Sequence, residues 1–339
     1  MELQDKKSNK ARQVLKASQD LELAVLEEEN EVSQEDVDPF ALASNDELEH
    51  FLHTCTPSQE KWLQTMTDHD LDLETLSSIH DDETAAELGF RGGTVAGDIH
   101  MNQFPPVLVK IFGNEWFERG NLSLNFKNAT VDLEKVQVFA EALKPGENQV
   151  NVWMERDDGL LVCTGTAALG DHSKSELRRL DYRPCDPEEL RILKKVKPGM
   201  RLGTYDIVAT TDKQFERYDN NLISDPMTWY KTSSPWGDPI AAPCTILEFL
   251  WANAMKGLGP LVGESTGLFG AMEIGYTNGP FIMGRGEKYR IECEVVCVSQ
   301  SPKTEIVWYD SHAFNESGDL VVTLRIQSRA MKASSPLYQ

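Results

Sequence analysis

The sequence predicts an α+β protein of two similar halves, each an apolar helix followed by antiparallel strands long enough to wrap it. Three observations point there. An apolar helical stretch is followed by strand-like segments twice along the 339 residues. The two strand sets lay over one another element by element: Val152-Trp153-Met154 against Val307-Trp308-Tyr309, and Asp158-Gly159-Leu160-Leu161-Val162 against Gly318-Asp319-Leu320-Val321-Val322. The resulting internal repeat, about 140 residues, is far longer than a solenoid unit, so it marks duplicated domains.

Residues 1–44 begin basic, with Lys6, Lys7, Lys10, Arg12 and Lys16, and turn strongly acidic from Glu27 to Asp38, the pattern of a solvated arm. The first domain spans 45–170. Leu48, Phe51, Leu52 and Cys55, then Trp62, Leu63 and Met66, recur at three and four residues and predict two helices. Met101 to Phe112 reads as an apolar helix, which Pro105-Pro106 must kink or restart because two backbone donors are missing. Strands follow at Leu122 to Phe126, Val136 to Ala142, Val150 to Met154 and Leu160 to Ala167, with turns at Pro145-Gly146 and Asp157-Asp158-Gly159.

A polar segment with Pro184 and Pro187, residues 171–197, reads as the linker, and the second domain spans 198–335. It opens with a strand through Tyr205, Ile207 and Val208 and a short helix near Lys213 to Asn221. A second apolar helix runs from about Pro243 to Lys256 and is expected to stop at Gly257 and Gly259. Strands then recur at Ala271 to Tyr276, Glu287 to Val298, Thr304 to Tyr309 and Leu320 to Arg329.

Chemistry concentrates in the stretch Ser77 to His100. It runs from an apolar approach to His80, through a one-turn acidic helix and the glycines Gly92, Gly93 and Gly97, to the start of the apolar helix. Backbone amides at a helix N-terminus stabilise an oxyanion, and a histidine with an ordinary pKa near 6.5 moves protons at working pH. His80 is therefore the candidate base, against the plainer role of a helix-start histidine bonded to Asp82 or Glu83. Asp98 and His100 are the further catalytic candidates, although an acid at Asp98 also suits a helix cap. Gly93 and Gly97, where the backbone turns sharply and approaches a ligand, are substrate-binding candidates.

His80, Ala86 six residues on, Gly89-Phe90 and Thr94-Val95-Ala96-Gly97 resemble the signature of the MaoC-like hotdog family, which includes the (R)-specific enoyl-CoA hydratases and related acyl dehydratases. That signature reads Asp-x-Asn-Pro-Ile/Leu-His. Here Thr75, Ser77 and Ser78 stand at the Asp, Asn and Pro positions, and His80 keeps the His. The resemblance covers roughly residues 75–335 and implies a double hotdog with two sheets joined edge to edge. It also implies a general acid–base lyase, adding or removing water beside the carbonyl of an acyl thioester or polyketide-like intermediate.

With the Asp and Asn positions replaced, a repurposed isomerase or cyclase in a polyketide biosynthetic pathway is the alternative. A non-catalytic acyl-binding protein and a hotdog thioesterase using Asp98 are further ones. The second half has Ser224-Asp225-Pro226 in place of the histidine loop, so its aromatics Trp229, Tyr230 and Trp236, with Tyr276, are candidates for binding the substrate tail.

With 33 basic against 55 acidic residues the formal charge is −22, which argues against nucleic acid and anionic membrane as partners. The local cluster Arg285, Lys288 and Arg290 runs against that average. Six scattered cysteines without a Cys-x-x-Cys pair read as reduced thiols of an intracellular, cytoplasmic protein. The spread-out histidines imply no metal, and no phosphate-binding glycine pattern implies a nucleotide cofactor, so none is expected. No run reaches membrane-spanning length. The expected partners are thus a small acyl or polyketide substrate, CoA- or carrier-bound, and a second copy in a homodimer.

Overall fold

Strand-forming segments recur in the same order in both halves, and they join in one ten-stranded sheet. The computed structural model describes residues 50–55, 79–219, 222–223, 227–284 and 286–339. The first-half strands are β1 (His50–Cys55), β2 (Gly120–Phe126), β3 (Val136–Glu141), β4 (Gln149–Arg156) and β5 (Leu161–Leu169). Those of the second are β6 (Arg201–Val208), β7 (Gly267–Tyr276), β8 (Lys288–Gln300), β9 (Thr304–Phe314) and β10 (Leu320–Met331). Their order across the sheet is β1-β3-β4-β5-β2-β7-β10-β9-β8-β6. Read from the centre outwards the halves have the same order, so the sequence repeat is a structural repeat.

The halves meet where β2 pairs antiparallel with β7, Leu122 opposite Ile274 and Leu124 opposite Met272. Such pairing satisfies the backbone groups that each half alone would expose at that edge. Because strand side chains alternate, Leu122, Leu124, Met272 and Ile274 point to the helix side and are fully buried, while Ser123 and Glu273 point to the other.

The helices on the inner side are short in the first half and continuous in the second. They are α1 (Asp82–Glu87), α2 (Gly97–Met101), α3 (Pro105–Phe112), α4 (Trp116–Arg119), α5 (Asp212–Asp219) and α6 (Pro243–Leu258). The break between α2 and α3 lies where Pro105-Pro106 required it, since both prolines take the first turn of the restarted helix, where no intrahelical donor is needed. The sixteen-residue α6 runs through Gly257 rather than stopping there. A Cβ at that glycine would lie 1.8 Å from the Leu202 carbonyl oxygen, so the position serves close packing of α6 on β6.

One further expectation changes. The helix expected over Leu48 to Cys55 is replaced at His50–Cys55 by the edge strand β1 beside β3, where pairing with the sheet overrides the helical spacing of Phe51, Leu52 and Cys55. The second predicted helix, around Trp62 to Met66, lies outside the described residues, as does residues 1–44. Within the linker, Leu177, Leu190, Ile192, Leu193 and Val196 are each at most 1% exposed. It covers the outer sheet face, with Leu177 packed on Ala271, Cys297, Ile306 and Trp308. Charged bonds pin it, Arg178 Nε to Glu273 at 2.7 Å and Arg325 to the Tyr182 hydroxyl at 2.6 Å.

Cys293 and Cys297, four apart on β8, fall on opposite faces because a bulge shifts the register between Val295 and Cys297. The five described cysteines are free thiols. No helix among the described residues is long and apolar enough to cross a membrane.

Candidate active site

Asp81 caps α1, its carboxylate accepting from the amides of Glu83 and Thr84. The chain then turns through the glycines, and Asp82 ties the loop back by accepting the Gly93 N–H at 2.6 Å. The Thr94 N–H donates to the Ile79 carbonyl at 2.9 Å. His80 is thus gripped between two backbone segments. Its Nδ1 lies 2.6 Å from the Thr94 carbonyl oxygen.

A carbonyl only accepts, so Nδ1 carries the hydrogen and Nε2 carries the lone pair. Burial lowers the His80 pKa, partly offset by the Thr94 carbonyl and by the Asp98 carboxylate. The ring is therefore neutral near pH 7, with the tautomer that a general base needs.

Gly93 explains part of this placement. A Cβ there would sit 2.4 Å from the His80 carbonyl oxygen, a contact that no side chain can make. We expect Gly93→Ala to displace His80, costing roughly 1–3 kcal/mol of stability and lowering activity beyond that loss. Chemical denaturation beside kinetics on the folded fraction checks this. At Gly97 a Cβ would lie 3.0 Å from the Phe126 ring and 3.1 Å from the Met272 methyl. The backbone at the start of α2 therefore comes close to β2 and β7, where the halves join, as a side chain would not allow. As the first helical residue, Gly97 has an N–H with no intrahelical partner.

Asp98, 3% exposed, is engaged from the other half. Arg217 of α5 donates Nη1 to Asp98 Oδ2 and Nε to Glu248 Oε2, both at 2.9 Å. Lys213 donates to the remaining Glu248 oxygen at 2.7 Å. Two carboxylates and two cations thus balance in a chain linking α2, α5 and α6, buried except at Lys213. Burial alone would raise the Glu248 pKa, but Arg217 and Lys213 outweigh it and hold it below the usual range. Beside them the buried Cys244 thiol is pushed up to about 12 and stays protonated. Sequence reasoning missed Arg217, Glu248 and Lys213, for no local spacing connects α5 to the first half.

His100 faces Thr130, with Nε2 at 2.8 Å from the hydroxyl, and Nδ1 has no partner among the described residues. Burial lowers its pKa to about 4, so this histidine is neutral at pH 7. Unfolded, it takes a proton below about pH 6.5; folded, it refuses one until about pH 4. The unfolded chain then binds more protons in that window, and stability rises with pH across it by up to roughly 3 kcal/mol. Urea unfolding at pH 7 and pH 4.5 is expected to show this slope, reduced in His100→Gln.

The aromatic candidates come together on one another. Trp229, Tyr230, Trp236 and Tyr276 all pack edge-on against Phe117 of α4, with ring centroids 5.7–6.3 Å away. Trp236 Nε1 also donates to Glu118 at 2.7 Å. Tyr230 and Tyr276 are buried, and Trp229 and Trp236 are half-buried. The basic cluster disperses: Arg290 pairs with Glu292 at 3.0 Å and Lys288 is exposed, while Arg285 lies outside the described residues. No group of three or more acidic, histidine or cysteine side chains among the described residues has metal-binding geometry.

Neither a family model nor a curated protein matches the chain. Solved structures do. A MaoC domain dehydratase from Chloroflexus aurantiacus J-10-fl superposes with a TM-score of 0.56 at 10% identity, covering 83% of this chain and 94% of its own. A Mycobacterium tuberculosis protein described as a double hotdog superposes with a TM-score of 0.52 at 13% identity, covering 84% and 97%. The chain has the double hotdog fold. A structure titled MaoC-like dehydratase agrees, with a TM-score of 0.50 at 13% identity over 84% of this chain and 98% of its own. In this double hotdog His80 enters from the loop before the broken first helix, and Arg217 reaches that helix from the other half.

Proposed function

We propose that this double hotdog is an enzyme that moves a proton at the carbon beside an acyl carbonyl, as a MaoC-like hydratase or dehydratase does. The observation that carries the reading is His80, neutral, half-buried and held by the Thr94 carbonyl with its lone pair on Nε2. His80 takes the proton from carbon or activates water, and the Gly97 amide holds the enolate-like oxygen. A positioned base contributes about 10²–10⁴-fold, and an oxyanion donor about 10²–10³-fold. Asp98 acts through its field on His80, and the substrate is a small acyl thioester or polyketide-like molecule. Because Arg217 occupies the Asp98 carboxylate, the alternative of Asp98 as a thioesterase nucleophile is disfavoured. The half-buried rings of Trp229 and Trp236 are the proposed recognition surface for the acyl tail.

Incubation with 2-enoyl and 3-hydroxyacyl thioesters, as CoA and pantetheine forms, tests the reading by a mass change of one water. Hydration absent from His80→Ala supports it. A panel left unchanged by the wild-type protein counts against a hydro-lyase. Since burial lowers the His80 pKa, the acid limb of the rate profile is expected below pH 6.5.

One observation favours a second reading. With Asp98 tied to Arg217 and His100 neutral to about pH 4, His80 is the described side chain best placed to carry a proton both ways. A single carrier suffices for isomerisation or cyclisation, where a proton leaves one carbon and returns at another.

A further inference from the structure

The second half provides no described histidine loop of its own, yet it places a buried charged side chain against the first half's site. Arg217 is 1% exposed, and its guanidinium divides between a carboxylate of α2 and one of α6. Lys213 shares the Glu248 charge with Arg217, so part of the Arg217 charge is left to face Asp98. Asp98 directly follows Gly97, whose amide is the proposed oxyanion donor, and Asp98 acts electrostatically on His80.

We propose that Arg217 is a positioning residue for the first half's site: it fixes the Asp98 carboxylate beside His80 and offsets its charge, so the proton-transfer site is complete only with both halves present. This rests on the reading of His80 as the base. A tie that only joined the halves would gain nothing from ending on the residue next to the oxyanion amide. An apolar contact of similar volume would hold α2 to α5 equally well, without the cost of burying charge.

Among the described residues, the charged and titratable groups that act on His80 or stand behind those that do are these. Asp98 on α2 raises its proton affinity, and Asp82 on α1 is occupied by the Gly93 N–H. Behind Asp98 stand Arg217 and Glu248, with Cys244 protonated beside them. Removing the Arg217 charge therefore strengthens the field of Asp98 on the imidazole.

The test is an NMR titration of the His80 ring in the full chain, assigned with His80→Gln, which needs no substrate. Arg217→Gln is expected to raise the midpoint by about half a pH unit or more. Asp98→Asn is expected to lower it, and the double variant to return close to wild type. Arg217→Lys, which keeps the charge, should restore most of the wild-type midpoint. A folded Arg217→Gln with an unmoved midpoint overturns the proposal. If that variant does not fold, an unmoved midpoint in Asp98→Asn, whose amide oxygen still accepts from Arg217, overturns it equally. On an active substrate, Arg217→Gln should lower kcat with KM little changed. An inactive wild-type protein would sink the catalytic reading, while the titration would still decide the role of Arg217.

Discussion

Replacing His80 with alanine is expected to lower turnover by about 10²–10⁴-fold while the fold persists. The loop does not depend on the imidazole: the Asp82–Gly93 and Thr94–Ile79 bonds hold it through the backbone. KM should change little, because the base acts mainly in the transition state. His80→Gln sharpens the comparison, since its amide can still donate to the Thr94 carbonyl but cannot accept a proton from carbon. Equal loss in both variants, with unchanged circular dichroism, separates proton transfer from loop structure. Full activity in His80→Gln would mean that the ring only positions the loop.

Arg217→Ala is expected to cost about 3–5 kcal/mol of stability, because it leaves Asp98 and Glu248 buried with their shared cation gone. The loss should appear as a lower urea midpoint of a single cooperative transition, since α5, α2 and α6 belong to both halves of the core. Adding Asp98→Asn to Arg217→Ala should recover part of the loss, as the uncompensated charge is removed with its partner. A loss below about 1 kcal/mol would place this pair among weak, screened surface bridges, which its burial contradicts.

Much of the fold is legible in the sequence because strands and prolines act locally. Pro105-Pro106 announce the broken helix, and the Val-Trp-Met and Val-Trp-Tyr strands of the two halves announce the duplication. His80 is also legible, by its place before the glycine loop. What holds it is not: the Thr94 carbonyl is backbone, and no residue type advertises it. Arg217 and Asp98 lie 119 positions apart and meet where the two halves pack on one another. The aromatics show the same limit, for Trp229, Tyr230 and Trp236 stand on a second-half loop while their common partner, Phe117, stands in the first. The edge strand His50–Cys55 was hidden for the opposite reason, its apolar spacing suiting a helix until a neighbouring strand offers hydrogen bonds.

The most direct measurement is deuterium exchange at the α-carbon of a saturated acyl thioester in D₂O, followed by mass spectrometry. It reads the one step shared by hydration, isomerisation and cyclisation, and it needs no change in water content. Exchange by the wild-type protein that disappears in His80→Ala is the expected result. Exchange that survives His80→Ala undiminished would contradict the assignment of His80 as the base.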